Sequence, residues 1–142
     1  MEIIIIQPKN NIEYYKKKNY RIRTITKECD CKNEYGCEKC DYTGMLKLEL
    51  IPFSMVIDKD SFEVIFELLE IDTRLSESNQ NEIIPHILLN KLNNLTIDCF
   101  VKFNNEKYGN NLLLEPVQNI LKNLRQICLE AERREDNIQW FL

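Results

Sequence analysis

The chain has 142 residues, of which 44% are hydrophobic and 30% charged, and its formal net charge is −4. A chain of this length can bury its own core, so small size does not make cross-links necessary. Three glycines and four prolines leave little room for linkers, and the negative charge excludes a general coating of nucleic acid. We therefore expect one globular domain over residues 1–142.

Four consecutive isoleucines, Ile3 to Ile6, stand near the start of the chain and are followed by Pro8. A β-branched run this short indicates a buried strand. An acid precedes the run and no basic segment does, so we expect neither a signal peptide nor a membrane span. The expected location is the cytoplasm, and abundant Asn, Lys and Ile favour an AT-rich genome such as that of a phage in a bacterial host.

Charge is distributed unevenly along the chain. Residues 1–48 contain ten Lys or Arg against seven Asp or Glu, whereas residues 49–142 contain nine against sixteen. The basic excess is concentrated in a stretch where aromatic and cationic side chains are interleaved. Aromatic rings stack on bases and cations contact phosphates, so this stretch is a candidate site for single-stranded nucleic acid. Its residues are Tyr14, Tyr15, Lys16, Lys17, Lys18, Tyr20, Arg21 and Arg23.

Two alternating segments flank a group of cysteines. Side-chain character alternates over residues 20–28 and again over residues 44–51, as in half-buried strands. We predict that these two segments pair as an antiparallel β-hairpin. The hairpin spans residues 20–51 and carries the cysteines in its long connecting loop.

Four of the six cysteines lie within twelve positions: Cys29, Cys31, Cys37 and Cys40. They form either two disulfides or one metal site. The cytosol keeps thiols reduced and no export signal is expected, so the pattern favours a metal. Two close pairs from opposite ends of a loop suit the tetrahedral geometry of zinc. We therefore predict one structural zinc ion.

The segment from Gly36 to Gly44, G-C-E-K-C-D-Y-T-G, resembles one half of the cysteine-rich hairpins of DnaJ-type chaperones. In those hairpins a cysteine pair is followed by a Gly-x-Gly step. Tyr42 stands in place of the first of these glycines, and no second such segment is present. The resemblance covers less than a tenth of the chain and implies a zinc hairpin, not a chaperone. Gly36 and Gly44 are the positions where we expect a positive φ.

The second half of the chain predicts about three helices. A capping-box pattern indicates the first over residues 60–71. Prolines in a first turn indicate a second over residues 85–94 and a long C-terminal helix over residues 116–138. Residues 96–103 alternate and predict a strand. The expected fold class is α+β, with the zinc-tipped hairpin packed with these helices.

Side chains that could carry catalysis are few. We interpret His86, the single histidine, as a partly buried structural residue, and Cys99 and Cys128 as core thiols. The leading hypothesis is a small non-enzymatic zinc-stabilised binding protein, used as an adaptor, regulator or inhibitor of a larger machine, for instance against host defence. The alternatives are a single-stranded nucleic-acid-binding protein and a metal-dependent hydrolase.

Large apolar residues stand at the end of the chain. Trp140 and Phe141 are costly to expose, so we predict that they dock. They dock either back on the domain or across a homodimer formed through the C-terminal helix. The sequence leaves three kinds of partner open: a protein, nucleic acid and a second copy of the chain.

Overall fold

The computed structural model describes residues 2–9, 12–29, 31, 36–72 and 81–141. Within these residues, antiparallel strands combine with five α-helices, which confirms the α+β class with more helices than the three expected. In chain order the elements are β1 (Ile3–Pro8), α1 (Ile12–Lys17), β2 (Arg23–Glu28), a 3-10 helix (Glu38–Cys40), β3 (Met45–Leu50), β4 (Met55–Asp58), α2 (Lys59–Leu68), β5 (Glu82–Ile83), α3 (Pro85–Asn94), α4 (Ile97–Tyr108), α5 (Leu114–Arg133) and β6 (Ile138–Phe141).

The elements divide into two compact units. The larger unit contains residues 1–9 and 53–142, and the smaller unit contains residues 10–52. The hairpin 20–51 lies in the smaller unit. A single domain over residues 1–142 stays a prediction.

An antiparallel sheet of strand order β4-β1-β6-β5 forms the base of the larger unit. The isoleucine run forms the buried strand β1, as the sequence predicts, and β1 lies between β4 and β6 in the sheet. Ile4 pairs with Ile57, and Ile6 pairs with both Met55 and Trp140. Ile4 and Ile6 belong to the same buried apolar cluster as the inner faces of the helices.

The end of the chain is part of this sheet. Strand β6 pairs with β1 on one side and β5 on the other. Trp140 is only 7% exposed, and its ring centroid lies 5.2 Å from that of Phe66 and 5.9 Å from that of Phe62. The prediction that Trp140 and Phe141 dock is confirmed, and they dock on their own chain. A homodimer through the C-terminal helix stays a prediction.

Helix α2 begins earlier than its sequence pattern indicates. Asp58 is the N-cap: its carboxylate accepts from the Ser61 N–H at 2.9 Å and from the Ser61 hydroxyl at 2.7 Å. The N-cap is therefore Asp58 and not Asp60, two residues earlier than predicted. The helix ends where Glu70 adopts a φ of 57° and the Ile71 N–H bonds back to the Phe66 carbonyl.

The strand predicted over residues 96–103 is wrong, because these residues form the start of α4. Thr96 caps the helix by accepting from the Cys99 N–H at 3.2 Å. Farther along, the buried Asn104 side chain donates to the Leu112 carbonyl and accepts from its N–H, at 3.0 and 2.9 Å. These contacts explain why a period-two pattern lies on a helix.

The prediction of a helix over residues 116–138 is wrong at both ends, because α5 spans Leu114–Arg133. Glu135 adopts a φ of 59°, and the N–H of Asp136 bonds back to the carbonyl of Ala131. This C-terminal cap stops the helix and leaves the following residues free to form β6.

The smaller unit contains α1, which the sequence analysis does not predict, and the β2–β3 hairpin. Strands β2 and β3 pair from Arg23 with Leu50 to Glu28 with Met45. The predicted hairpin is confirmed, although residues 20–22 precede the strand. The hairpin turns one apolar face inward, formed by Ile25, Leu46, Leu48 and Leu50, while Thr24 and Thr26 on the other face are exposed.

Candidate metal centre

The β2–β3 hairpin brings both ends of the cysteine loop together. Beyond the last strand pair, the Cys29 N–H donates to the Gly44 carbonyl at 2.9 Å, which extends the ladder by one bond. Cys29 and Cys31 therefore leave β2 at the point where the other end of the loop enters β3. Cys37 precedes the 3-10 helix, and Cys40 is its last residue.

The four sulfur atoms form one cluster. All of them lie within 4.8 Å of one another. The Sγ–Sγ distances are 3.6 Å from Cys29 to Cys37, 3.7 Å from Cys37 to Cys40 and 3.9 Å from Cys31 to Cys40. A zinc ion bound by four thiolates at about 2.3 Å separates its ligands by about 3.8 Å, so these three distances match those of a tetrahedral thiolate site.

These sulfur–sulfur distances are too long for disulfide bonds. A disulfide holds its sulfur atoms about 2.05 Å apart, and none of the six cysteines of the chain is in a disulfide. Of the two arrangements that the sequence leaves open, the structure has the one that can hold a metal ion. Cys40 is buried, and Cys29, Cys31 and Cys37 are half-buried.

The surroundings lower the pKa of one thiol in the cluster and raise that of another. The Cys37 N–H donates to Cys40 Sγ at 3.2 Å and, with a second backbone bond from Gly44, lowers the pKa of Cys40 from 9.0 to about 6. The neighbouring Cys29 side chain, followed by burial, raises the pKa of Cys31 to about 12. One thiolate forms readily, whereas four in one place need a cation, which a divalent metal supplies.

Two glycines flank the cysteine pair Cys37 and Cys40, which we call the knuckle, and both adopt a positive φ, as the sequence predicts. Gly36 and Gly44 have φ values of 84° and 76°. Asp41 and Tyr42 also adopt left-handed φ, at 54° and 59°, although neither is glycine. The Tyr42 N–H donates to the Cys37 carbonyl at 2.8 Å, which closes the turn over the cysteine pair.

Thr43 supports the knuckle, a role that is not among the predictions made from the sequence. Its hydroxyl lies 2.6 Å from the Cys40 carbonyl and 3.0 Å from the Met45 carbonyl, and it accepts from the Met45 N–H at 3.2 Å. A threonine between a cysteine pair and a strand is the available sequence signal, since Ser and Thr hydroxyls commonly bond nearby backbone groups.

Side chains of the basic-aromatic stretch have different environments. Tyr15 is fully buried and Tyr14 is half-buried, whereas Tyr20 is 48% exposed. The cationic members of the stretch are exposed: Lys16, Lys17, Lys18, Arg21 and Arg23. Tyr15 is therefore unable to stack on a base, and the set predicted from sequence is too wide by that residue.

Three further side chains with reactive groups lie on helices: His86 on α3, Cys99 on α4 and Cys128 on α5. His86 is exposed on α3 and contacts Asn90 at 3.3 Å, so its interpretation as a partly buried residue is wrong. Cys99 is exposed on α4, because that segment is a helix, and is not a core thiol. Cys128 is buried on α5, as predicted.

Comparisons with known proteins identify no relative. No protein-family model matches the chain, and no curated protein and no solved structure matches it. Among the helices in the described part of the chain, none has the length and apolar character that crossing a membrane requires.

Proposed function

We propose that the four cysteines bind one structural zinc ion and that the protein is a non-enzymatic binding protein, with the hairpin as its recognition arm. The observation that supports this proposal is the cluster of four sulfur atoms that lie within 4.8 Å of one another. Four thiolates fill every position of a tetrahedral zinc ion and leave none for water. Such a closed site stabilises a fold and does not activate a nucleophile.

The closed ligand set also argues against a metal-dependent hydrolase. A hydrolytic zinc needs an open position beside three protein ligands and a base nearby. The single histidine is exposed and bonds to Asn90. Among the described residues, the only group of metal-ligating side chains is the four-cysteine cluster.

The tip of the hairpin presents large apolar side chains. Tyr42 is 61% exposed and Met45 is 42% exposed. Tyr42 stands in a left-handed conformation, which costs a non-glycine residue about 1 kcal/mol. Tyr42 is exposed although its backbone conformation is unfavourable, which supports a role for its side chain in contact with a partner.

A protein partner fits this tip, since exposed tyrosine and methionine are enriched where one protein packs on another. The protein then acts as an adaptor, regulator or inhibitor of a larger machine. A bacterial host protein is the partner if a phage or mobile element encodes the chain.

Capture from a bacterial lysate tests the proposal. The immobilised zinc-loaded protein should retain one partner in stoichiometric amount, and a Tyr42→Ala/Met45→Ala variant should lose it. Leu113→Ala is the matched control, because Leu113 is 72% exposed in the larger unit. A monomer that captures nothing, or a capture unchanged in the double variant, would overturn the recognition role of the tip.

A further inference from the structure

We propose that the smaller unit binds single-stranded nucleic acid through a basic patch, which we define as Lys16, Lys17, Lys18, Tyr20, Arg21 and Arg23. This function goes beyond the one proposed above and uses a different surface. The patch comprises the end of α1 and the residues leading into β2, whereas the metal knuckle lies at the other end of the hairpin.

No acidic residue interrupts the basic patch in sequence, and Glu13 and Glu28 flank it. Residues 14–27 contain six Lys or Arg and no Asp or Glu. Lys16 pairs with Glu49 at 3.1 Å, and the Lys18 ammonium lies 5.6 Å from the centroid of the Tyr14 ring. Lys17, Lys18 and Arg21 are exposed cations, and we base the test on them. At physiological ionic strength charges are screened beyond about 8 Å. The net charge of the whole chain therefore does not cancel the attraction of this local group for phosphates.

The backbone holds the patch in a defined shape. Asn19 adopts a φ of 60° at the end of α1. Its N–H donates to the Lys16 carbonyl at 3.1 Å, and the Tyr20 N–H donates to the Tyr15 carbonyl at 2.9 Å. These two bonds form a Schellman motif, which reverses the chain and places Tyr20 over the last turn of the helix. Binding therefore needs little ordering of this segment.

Tyr20 supplies an aromatic ring at the surface. The buried Tyr15 ring packs edge-on against Tyr20, with centroids 5.4 Å apart and planes at 79°. Tyr15 also packs against Tyr14 at 5.2 Å and 90°. Tyr15 thus anchors the exposed Tyr20 beside the lysines. A half-exposed ring next to cations suits an unpaired base with its phosphates, whereas the bases of a duplex are already stacked.

Fluorescence anisotropy with a labelled 20-nucleotide poly-dT strand and the zinc-loaded full chain tests the proposal. With three phosphate contacts, affinity should fall about 20-fold between 50 and 200 mM KCl. The Lys17→Ala/Lys18→Ala/Arg21→Ala variant should reduce the slope of log affinity against log salt by about 2. At fixed salt, Tyr20→Ala should weaken binding about tenfold, while Tyr20→Phe should bind like the wild type.

Matched controls separate this surface from others. Lys102→Ala/Lys122→Ala removes two exposed cations of the larger unit and should leave binding unchanged. Tyr42→Ala/Met45→Ala should also bind the strand normally, so failure of the hairpin-tip proposal and failure of this one are distinguishable. Zinc content and melting temperature confirm that each variant is folded.

Several outcomes would overturn the proposal. These are the absence of binding at 50 mM KCl, binding unchanged in the triple variant, and equal affinity for a duplex of the same length. Binding to phosphatidylserine vesicles without binding to the strand would assign the patch to a membrane surface instead.

Discussion

Gly36 and Tyr42 approach so closely that a side chain at residue 36 has no space. A Cβ atom at Gly36 would lie 2.6 Å from the Tyr42 Cα and 2.7 Å from its carbonyl carbon. Both neighbours are backbone atoms and cannot rotate away. The two sides of the cysteine knuckle are therefore packed backbone against backbone.

Replacing Gly36 by alanine should disrupt the metal centre. The new methyl group must displace the backbone of Tyr42, whose N–H closes the turn on the Cys37 carbonyl. We expect Gly36→Ala to lose most of its bound zinc, measured as zinc per chain after dialysis.

Gly44→Ala is the matched control, because a Cβ atom there meets nothing within 4 Å. Its φ of 76° makes the substitution cost about 1 kcal/mol of backbone strain. It should keep its zinc. Equal zinc loss in both variants would show that the close approach to Tyr42 is not what matters.

Sequence patterns predict the cysteine cluster better than they predict the helices of the larger unit. The spacing of the cysteines predicts the cluster because metal ligands close in sequence form a local and chemically specific pattern. Residues 97–103 show how a pattern fails: Ile97 and Val101 are exposed on α4, so the alternation there does not report burial. The Thr96 cap and the contact of Asn104 with Leu112 stabilise the helix. The alternation of apolar and polar residues contains no information on either contact.

The end of α5 and the strand that follows it are also not predictable from sequence periodicity. The end of α5 depends on a left-handed Glu135, which no glycine marks in the sequence. The position of Trp140 in a sheet depends on pairing with β1, more than 130 residues away in the chain. Apolar character predicts that Trp140 is buried, but only the three-dimensional pairing says that it is a strand residue.

Asp58 should make stability depend on pH in acid. The Ser61 hydroxyl and then the Ser61 N–H hold the pKa of this carboxyl below its ordinary value of 3.8. A lowered folded-state pKa gives stability that is fully present above 3.8 and is lost as the pH falls through the folded-state pKa. Asp58→Ala should cost about 1 kcal/mol of unfolding free energy at neutral pH.

Urea unfolding at neutral pH and in acid measures this effect. The difference between wild type and Asp58→Ala should shrink in acid. Asp60 is an exposed acid in the first turn of α2 and is not the cap residue, so Asp60→Ala should have a much smaller effect at neutral pH. A loss for Asp58→Ala that does not change with pH would show that the charge of the cap is irrelevant.

Cys99 and Cys128 should differ sharply in reactivity. The Thr96 hydroxyl donates to Cys99 Sγ at 3.1 Å and lowers the pKa of this exposed thiol. Burial raises the pKa of Cys128 to about 12. In the zinc-loaded native protein, iodoacetamide near neutral pH should modify Cys99 and spare Cys128, as peptide mass spectrometry will show.

The hydroxyl of Thr96 provides the control for this experiment. Thr96→Ser keeps the donor and should preserve the alkylation rate, whereas Thr96→Val should slow it. Modification of Cys128 at the rate of Cys99 without unfolding would contradict its buried position.

Removing zinc should loosen the hairpin tip and leave the larger unit folded. Metal binding orders the loop that carries its ligands, whereas the larger unit has its own apolar cluster. Trp140 is the single tryptophan and lies in that cluster, so its fluorescence reports on the larger unit alone. A chelator should abolish amide-exchange protection around Cys37 and Cys40 with little change in Trp140 emission. Loss of the native emission would show that the two units depend on the same metal.

Zinc content of the purified protein tests the central claim most directly. Under reducing conditions and after dialysis, inductively coupled plasma mass spectrometry should find about one zinc per chain. Cys37→Ser and Cys40→Ser should each lose it, whereas Cys99→Ala and Cys128→Ala should keep it. Less than about half an equivalent of zinc in the wild type, or a disulfide among Cys29, Cys31, Cys37 and Cys40, would contradict the account.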